Sequence, residues 1–192
     1  MHTLSRRKPD ASPTQAQGKL DERWTRLMTM TPADFRQALS ALTQQLDGRA
    51  LDAELDTWLN AELGPGTATY TQLKAACQAG VAEGWLCNRH QQLGNGGIRY
   101  GRIFKPADDL HGFSVDVVDM QNLSGPHHSH PNGEIDLLMP LEGDALFDGR
   151  PAGWIVYSPG TAHCPTVSQG RALVLYLLPA GAIHFTPAIS AA

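Results

Sequence analysis

Apolar residues between positions 31 and 86 recur at the spacing of amphipathic helices. At the start of this stretch, Thr31 suits a helix N-cap and Pro32 suits the first helical position. The apolar positions of the first run share one helical face: Phe35, Leu39, Leu42 and Leu46. A second run ends at the GPG of residues 64–66, and it has the same spacing: Leu51, Leu55, Trp58, Leu59 and Leu63. A third run contains Leu73, Ala76, Cys77 and Val81. The pattern predicts three helices.

After the segment NRHQQLGNGG at 88–97, which predicts a loop, the pattern changes to short runs of β-branched and aromatic residues. Gly, Pro, Asn and Asp separate these runs: IRYGRIF (98–104), FSVDVVDM (113–120), EIDLLM (134–139), ALF (145–147), GWIVYS (153–158), ALVLYLL (172–178) and AIHF (182–185). Many short strands without intervening helices are typical of a sandwich or small barrel. The predicted fold class is therefore mainly β with an N-terminal helical region.

Residues 1–18 are rich in Ser, Pro, Gln and charged residues and have no apolar periodicity. This composition cannot offset the entropy lost on ordering, so it predicts a disordered tail. The predicted organisation is a tail over 1–18, a helical region over 19–90 and a β-barrel over 91–192.

Charge and composition disfavour several classes of protein. The chain has 15 Lys and Arg against 19 Asp and Glu, so nothing attracts it globally to nucleic acid or to an anionic membrane. Acidic residues also outnumber basic ones in the helical region, which argues against DNA-binding helices. No apolar run approaches the roughly 18 residues that span a bilayer, and no apolar stretch follows the basic N-terminus. We expect a cytoplasmic protein. Its three cysteines predict neither a disulfide framework nor a thiolate zinc site.

The segment GPHHSHPNGEID at 125–136 contains the densest candidate chemistry. Because residues two apart on a strand share a face, His128 and His130 would direct both imidazoles to one point. The PNG turn after them could return the chain so that Glu134 faces the same interior, and His163 follows a Pro-Gly turn at the start of another strand. Three imidazoles and a carboxylate suit Fe(II), Mn(II), Ni(II), Co(II) or Zn(II). The alternative is a set of surface turn residues with one packed histidine.

These residues resemble the two motifs of the cupin superfamily over residues 98–187. The first motif is matched by Gly125, His128, His130 and Glu134, although the first glycine is closer to the histidines than usual and Gly143 comes late. The second is matched by Gly153, Pro159, Gly160 and His163, with Pro and Gly adjacent and Val167 in place of the terminal Asn. The resemblance implies a cupin-type double-stranded β-helix (jelly-roll) barrel with a metal, for which Fe(II) or Mn(II) is favoured. Cupins commonly pair, so it also implies a homodimer.

A narrower resemblance extends over the helices as well. The segments ATYTQLKAACQAGVAEGWLCNR, IRYGRIFKP, HGFSVDVVDM, GPHHSHPNGEIDLLMP and GWIVYSPGTAHCPTVSQGRALVLYLLP resemble the bacterial 4-hydroxylaminobenzoate lyases. This resemblance implies conversion of 4-hydroxylaminobenzoate, a small aromatic carboxylate, to protocatechuate with release of ammonia. Two other functions stay open: a cupin dioxygenase acting on an aromatic substrate, and a non-catalytic cupin that binds a small ligand.

Further residues near the motifs are candidates for catalysis. His127 should face away from His128, which leaves an indirect or proton-transfer role. Asp136 shares the parity of Glu134 and could hold a ligating imidazole by a hydrogen bond, or be a solvated strand carboxylate. Either could be the general acid that the lyase reaction requires. Cys164 has no recognisable base partner and is expected to be a small buried hydrophobe.

The strand IRYGRIF carries candidate substrate-binding residues. Arg99 or Arg102 could hold a substrate carboxylate in a bidentate manner, which suits a guanidinium better than an ammonium. Solvated charges on an edge strand are the alternative. Trp154, Tyr157 and Tyr176 are expected to line the barrel rather than to act on the substrate.

Overall fold

A computed structural model describes residues 30–93 and 96–186. The tail predicted over residues 1–18 lies outside the described residues. Within the described ranges, we find no helix that is both long and apolar enough to span a membrane.

Three helices open the described chain: α1 (Pro32–Leu46), α2 (Ala53–Leu63) and α3 (Ala68–Glu83). Each begins at a polar side chain that accepts hydrogen bonds from backbone N–H groups of the first turn: Thr31, Asp52 and Thr67. These caps satisfy donors that have no partner within the helix. At the other end of α3, Gly84 adopts a left-handed conformation that ends the helix. The helices predicted from the apolar spacing are confirmed.

Nine strands follow in the described residues: β1 (Arg89–Leu93), β2 (Gly96–Phe104), β3 (Phe113–Ser124), β4 (His128–His130), β5 (Glu134–Phe147), β6 (Gly153–Tyr157), β7 (Thr161–His163), β8 (Thr166–Pro179) and β9 (His184–Phe185). A short 3-10 helix, Asp108–Leu110, precedes β3. The strands form a six-stranded sheet in the order β1-β2-β3-β8-β5-β6 and a three-stranded sheet in the order β7-β4-β9, with antiparallel pairing in both. The predicted mainly β fold with an N-terminal helical region is confirmed.

Two predictions about individual strands were wrong. The predicted loop at 88–97 contains β1, which pairs with β2 from Arg89 opposite Tyr100 to Leu93 opposite Gly96. Most side chains of β1 are exposed, so backbone pairing forms this strand without the apolar alternation that would have revealed it. The runs EIDLLM and ALF belong to one strand, β5, whose pairing with β8 shifts register between Pro140 and Leu146.

Helix α2 packs along β6, the strand at one edge of the six-stranded sheet. The Asn60 amide donates to the Trp154 carbonyl and accepts from the Trp154 backbone N–H, both at 2.8 Å. The Trp154 indole N–H donates to the carbonyl of Leu63 at 2.9 Å, and Asp56 forms an ion pair with Arg150 at 2.6 Å. The helix thereby occupies an edge that would otherwise present unpaired backbone groups.

One face of the six-stranded sheet, which we call the inner face, carries several buried polar side chains. Along β5, Glu134, Asp136 and Leu138 alternate with residues that face the other way, and all three are 0% exposed. Tyr176 of β8 lies opposite Asp136, and Tyr157 of β6 lies opposite Glu134, so their side chains share this face. The inner face is therefore apolar around Leu138 and acidic near the start of β5.

Candidate metal centre

Strand pairing and one turn bring four candidate ligands together. His128 and His130 lie two apart on β4, and β4 pairs with β7 so that His128 is directly opposite His163. Gly133, with a φ of 83°, closes the turn before β5, and its N–H donates to the carbonyl of His130 at 3.2 Å. This turn delivers Glu134 as the first residue of β5.

The ligand atoms of these residues converge on one point. One atom from each of His128, His130, Glu134 and His163 lies within 4.8 Å of all the others, and we refer to these residues as the four-residue cluster. The Nε2 atoms of His163 and His128 are 3.1 Å apart. Glu134 Oε1 lies 3.3 Å from His130 Nε2 and 3.6 Å from His163 Nε2.

The second nitrogen of each imidazole, Nδ1, has a partner on the side of the ring away from this point. His128 Nδ1 lies 3.1 Å from the carbonyl of Pro126, and His130 Nδ1 lies 3.1 Å from the Thr161 hydroxyl. His163 Nδ1 lies 2.5 Å from the Asp148 carboxylate. Because the Nδ1 atoms are engaged in this way, Nε2 of each ring is left to face the centre of the cluster.

Burial and charge set the protonation of the imidazoles. Burial lowers the pKa of His130 to about 4, although the charge of Glu134 opposes this effect. Burial also lowers the pKa of His128. For His163, burial lowers the pKa, but the hydrogen bond to Asp148 and the nearby carboxylate of Glu134 outweigh it and raise the pKa to about 9. His128 and His130 are therefore neutral near pH 7, which is the state that binds metal.

The cluster fits a divalent transition metal. His130 Nε2 and both oxygens of Glu134 are buried and have no hydrogen-bond partner among the described residues. Buried polar atoms without partners are costly, and a cation at the centre would satisfy them. Three imidazole nitrogens and one carboxylate are also a ligand set that such metals accept.

Asp136 lies beside the cluster but does not make the hydrogen bond to an imidazole that its spacing suggested. Neither of its oxygens has a hydrogen-bond partner among the described residues, so it does not hold an imidazole in the way considered above. It is fully buried, and burial together with the charge of Glu134 raises its pKa well above the usual value. Asp136 and Glu134 thus form a buried carboxylate pair, in which burial disfavours the charged form of Asp136.

His127 faces away from the four-residue cluster, as its parity predicts. Its side chain is exposed, and its Nδ1 lies 2.6 Å from the hydroxyl of Thr186. The contact that the structure shows for the His127 imidazole is thus with Thr186 and not with a residue of the four-residue cluster.

The two candidate substrate arginines lie on opposite faces of β2. Arg102 is opposite Asp116 and pairs with its carboxylate at 2.9 Å. Asp116 in turn lies opposite Tyr176, which places Arg102 on the inner face. Arg99 is opposite Asp119, on the other face, and its Nη1 lies 4.0 Å from that carboxylate. Only Arg102 of the two shares a face with Glu134, so the structure does not bring Arg99 to the cluster.

Several residues near the cluster were not predicted as functional from the sequence. Asp148 contacts His163, and the Tyr157 ring lies 4.5 Å from the His163 ring between centroids. Phe185, which pairs with His128 across β9 and β4, is 61% exposed. An Asp-Gly pair at 148–149 signals a turn, but nothing in the sequence indicates which distant residue its carboxylate reaches. The expectation that Cys164 is buried was wrong, because this thiol is exposed after the short strand β7.

Known proteins resemble this chain across most of its length. The family model PnbB, 4-hydroxylaminobenzoate lyase, matches residues 37–185. This chain belongs to the 4-hydroxylaminobenzoate lyase family. A 4-hydroxylaminobenzoate lyase of Nocardioides sp. (strain LMS-CY) is 32% identical over 162 residues, covering 81% of this chain and 95% of the relative. One of Pseudomonas putida is 31% identical, covering 71% of this chain and 85% of the relative.

Two antiparallel sheets, of six and three strands, are consistent with the jelly-roll arrangement that the resemblance to cupins implied. Similar solved structures include an RmlC-like cupin of Ralstonia eutropha JMP134, with 14% identity and a TM-score of 0.35 over 48% of this chain and 60% of that chain. A cupin-like protein of Thermotoga maritima has 15% identity and a TM-score of 0.31 over 50% of this chain and 80% of that chain. As a member of the family, this chain is a lyase-like enzyme.

Proposed function

We propose that this chain converts 4-hydroxylaminobenzoate to protocatechuate and ammonia, using a divalent metal held by the four-residue cluster. The observation that carries the proposal is the convergence of four ligand atoms within 4.8 Å in a chain whose relatives are named 4-hydroxylaminobenzoate lyase. Fe(II) or Mn(II) is the favoured metal, and Zn(II), Ni(II) or Co(II) would fit the same ligands.

The proposed reaction balances without an external oxidant or reductant. The N–O bond breaks and its oxygen leaves as water, while one water adds at the ring carbon next to the carbon that bears nitrogen. A second water then replaces the nitrogen, which leaves as ammonia. One water is consumed overall, and the electrons that reduce the nitrogen come from the ring. When bound, the metal would supply Lewis acidity for these steps.

Asp136 is the proton donor in this proposal. The departing oxygen and nitrogen each need a proton, and burial raises the pKa of the Asp136 carboxyl and so favours the protonated form that could donate one. Asp136 lies two residues from Glu134 on the same face of β5, so its carboxyl is on the same side of the sheet as this ligand. His127, which was the other candidate, is exposed and faces Thr186, which makes Asp136 the better candidate.

Two residues are proposed to hold the substrate, one at its carboxylate and one at its ring. Arg102 would provide a guanidinium for the substrate carboxylate, supported by its place on the inner face beside Asp116. Phe185 would contact the substrate ring, since it is an exposed aromatic residue whose ring centroid lies 5.5 Å from that of His128. An apolar side chain at the edge of the cluster suits an aromatic ring that must approach the ligands.

An anaerobic assay of purified protein with 4-hydroxylaminobenzoate tests this proposal. Ammonia and protocatechuate are followed while the metal content of the same sample is determined. Both products should form without oxygen, and His130→Ala should lose both metal and turnover. Ser129→Ala, between the two histidines on β4, is the matched control and should retain metal.

Three outcomes would contradict parts of the proposal. Absence of turnover by the metal-loaded protein would exclude this substrate. Turnover only in the presence of oxygen would exclude the lyase reaction and favour the dioxygenase. Full turnover by protein shown to be free of metal would exclude the metal role. A cytoplasmic location and a homodimer stay predictions from the sequence, to be checked by cell fractionation and by sedimentation.

A further inference from the structure

Asp148 joins three separate parts of the chain next to the four-residue cluster. Its Oδ2 accepts hydrogen bonds from Nδ1 of His163 at 2.5 Å and from the hydroxyl of Tyr157 at 2.6 Å. Its Oδ1 accepts from the backbone N–H of Thr166 at 2.8 Å. The Asp148 side chain is 22% exposed, so water only partly competes for these bonds.

A tight turn between β5 and β6 holds Asp148 in place. Asp148 and Gly149 have φ values of 49° and 79°, and Phe147 and Arg150 exchange both backbone hydrogen bonds at 2.9 Å. A two-residue hairpin turn with two positive φ values favours Asn or Asp followed by Gly. The turn therefore accounts for a short polar residue at 148, but it does not require a carboxylate that contacts His163 and Tyr157.

We propose that Asp148 is a positioning residue that fixes the tautomer and ring orientation of His163 for metal binding. This inference rests on the metal role proposed above. An ionised carboxylate only accepts hydrogen bonds, so when the His163 ring loses a proton to bind metal, the hydrogen that stays must lie on Nδ1. The lone pair of Nε2 is then directed at the centre of the cluster, where this atom lies 3.1 Å from His128 Nε2.

Tyr157 is held by the same carboxylate and supports the same ring. Its phenol ring lies 4.5 Å from the His163 ring and 5.4 Å from the His130 ring between centroids. By accepting from the Tyr157 hydroxyl, Asp148 keeps this aromatic side chain packed against two imidazoles. The Asp148 carboxylate thus orients both the His163 ring and the Tyr157 ring beside it.

Asp148→Asn is the decisive variant. Asn suits the turn as well as Asp and has nearly the same shape, but one of its two polar atoms is a donor. If the amide nitrogen faces His163, it favours the tautomer with hydrogen on Nε2, which cannot bind metal. If the amide nitrogen faces Thr166 instead, two donors meet, because the backbone N–H of Thr166 points at the same position. Residues that orient metal-binding histidines typically change metal affinity by about 10- to 100-fold when replaced, and we expect a loss of this size.

The affinity is measured with Zn(II) in competition with a chromophoric chelator, and the absorption spectrum of the Co(II) form reports the ligand geometry. Asp144→Asn is the charge-matched control, since Asp144 is an exposed carboxylate on β5, the strand before the turn of Asp148, and it should bind Zn(II) like the wild type. Tyr157→Phe keeps the bond between Asp148 and His163 and should change the affinity only a few-fold. Equal affinity and equal spectra for Asp148→Asn and the wild type would overturn the inference.

Nitrogen-15 NMR of the wild-type imidazoles tests the inference without any substitution. Nδ1 of His163 should carry the hydrogen in the Zn(II) form, with Nε2 bound to metal. A His163 ring with its hydrogen on Nε2 would overturn the positioning role even if Asp148→Asn failed to fold. The wild type could bind Zn(II) more tightly than Asp148→Asn and still show no lyase turnover. That result would keep this inference and exclude the proposed reaction.

Discussion

Metal binding should stabilise the native protein, because the ligand atoms are already assembled in the fold. Removing metal with a chelator and then adding it back in excess tests this expectation. His130 Nε2 and both Glu134 oxygens lie buried without partners among the described residues, and a cation at their centre would remove that cost. The unfolded chain holds no such site, since His163 reaches the other ligands only through the pairing of β4 with β7.

The size of the effect follows from linkage. A metal at about 100 times its dissociation constant stabilises the native state by roughly 2.7 kcal/mol if it does not bind the unfolded chain. For a protein of this length, each kcal/mol shifts the midpoint of thermal unfolding by about 2–4 °C. The expected rise in Tm is therefore about 5–11 °C.

Thermal unfolding followed by circular dichroism measures the shift with Mn(II), Fe(II) under anaerobic conditions, and Zn(II). Glu134→Gln removes the only anionic ligand of the four-residue cluster and should lose more than half of the rise. His127→Ala is the matched control, because this exposed histidine faces Thr186 and should leave the rise intact. The reasoning would be refuted if no metal raised the Tm, or if Glu134→Gln showed the full rise.

Three further substitutions test other parts of the structure. Asp136→Asn should lower kcat by about 100-fold or more, because it removes the proposed proton donor, while metal analysis shows an unchanged content; an unchanged kcat would exclude that role. Phe185→Ala should raise KM by about 2- to 10-fold with little change in kcat, the loss expected for one aromatic contact, and Phe185→Tyr should retain the wild-type KM. Asn60→Ala should cost about 1–3 kcal/mol in urea unfolding, because it leaves the buried backbone N–H of Trp154 without its partner. Thr57→Ala, whose hydroxyl bonds within the same helix, is the control, and an equal loss there would contradict the role of Asn60.

Predictions that depend on neighbouring residues along the chain could be made from the sequence. The three helices were predicted because capping residues and apolar positions three to four apart act within one or two turns. The common direction of His128 and His130 follows from strand parity, which is also local. The same parity predicted that His127 faces away, and the structure agrees.

Strand β1 and the role of Asp148 could not be found in this way. Arg89–Leu93 is polar and largely exposed, so its strand conformation depends on backbone bonds to β2 rather than on a pattern of side chains. The Asp-Gly pair at 148–149 predicts a turn, but the partner of the carboxylate depends on how β7 lies beside that turn.

The sequence by itself determined the helices, most of the strand segments, the parity of the histidines and the types of ligand near 125–136. Tertiary structure decided which residues meet: strand pairing places His163 opposite His128, and the packing of the sheet makes the face of Arg102, not that of Arg99, the inner one. The physical reason is the range of the forces involved. Capping, alternation and turn preference act over a few residues, whereas register between distant strands is set by the burial of the whole apolar face.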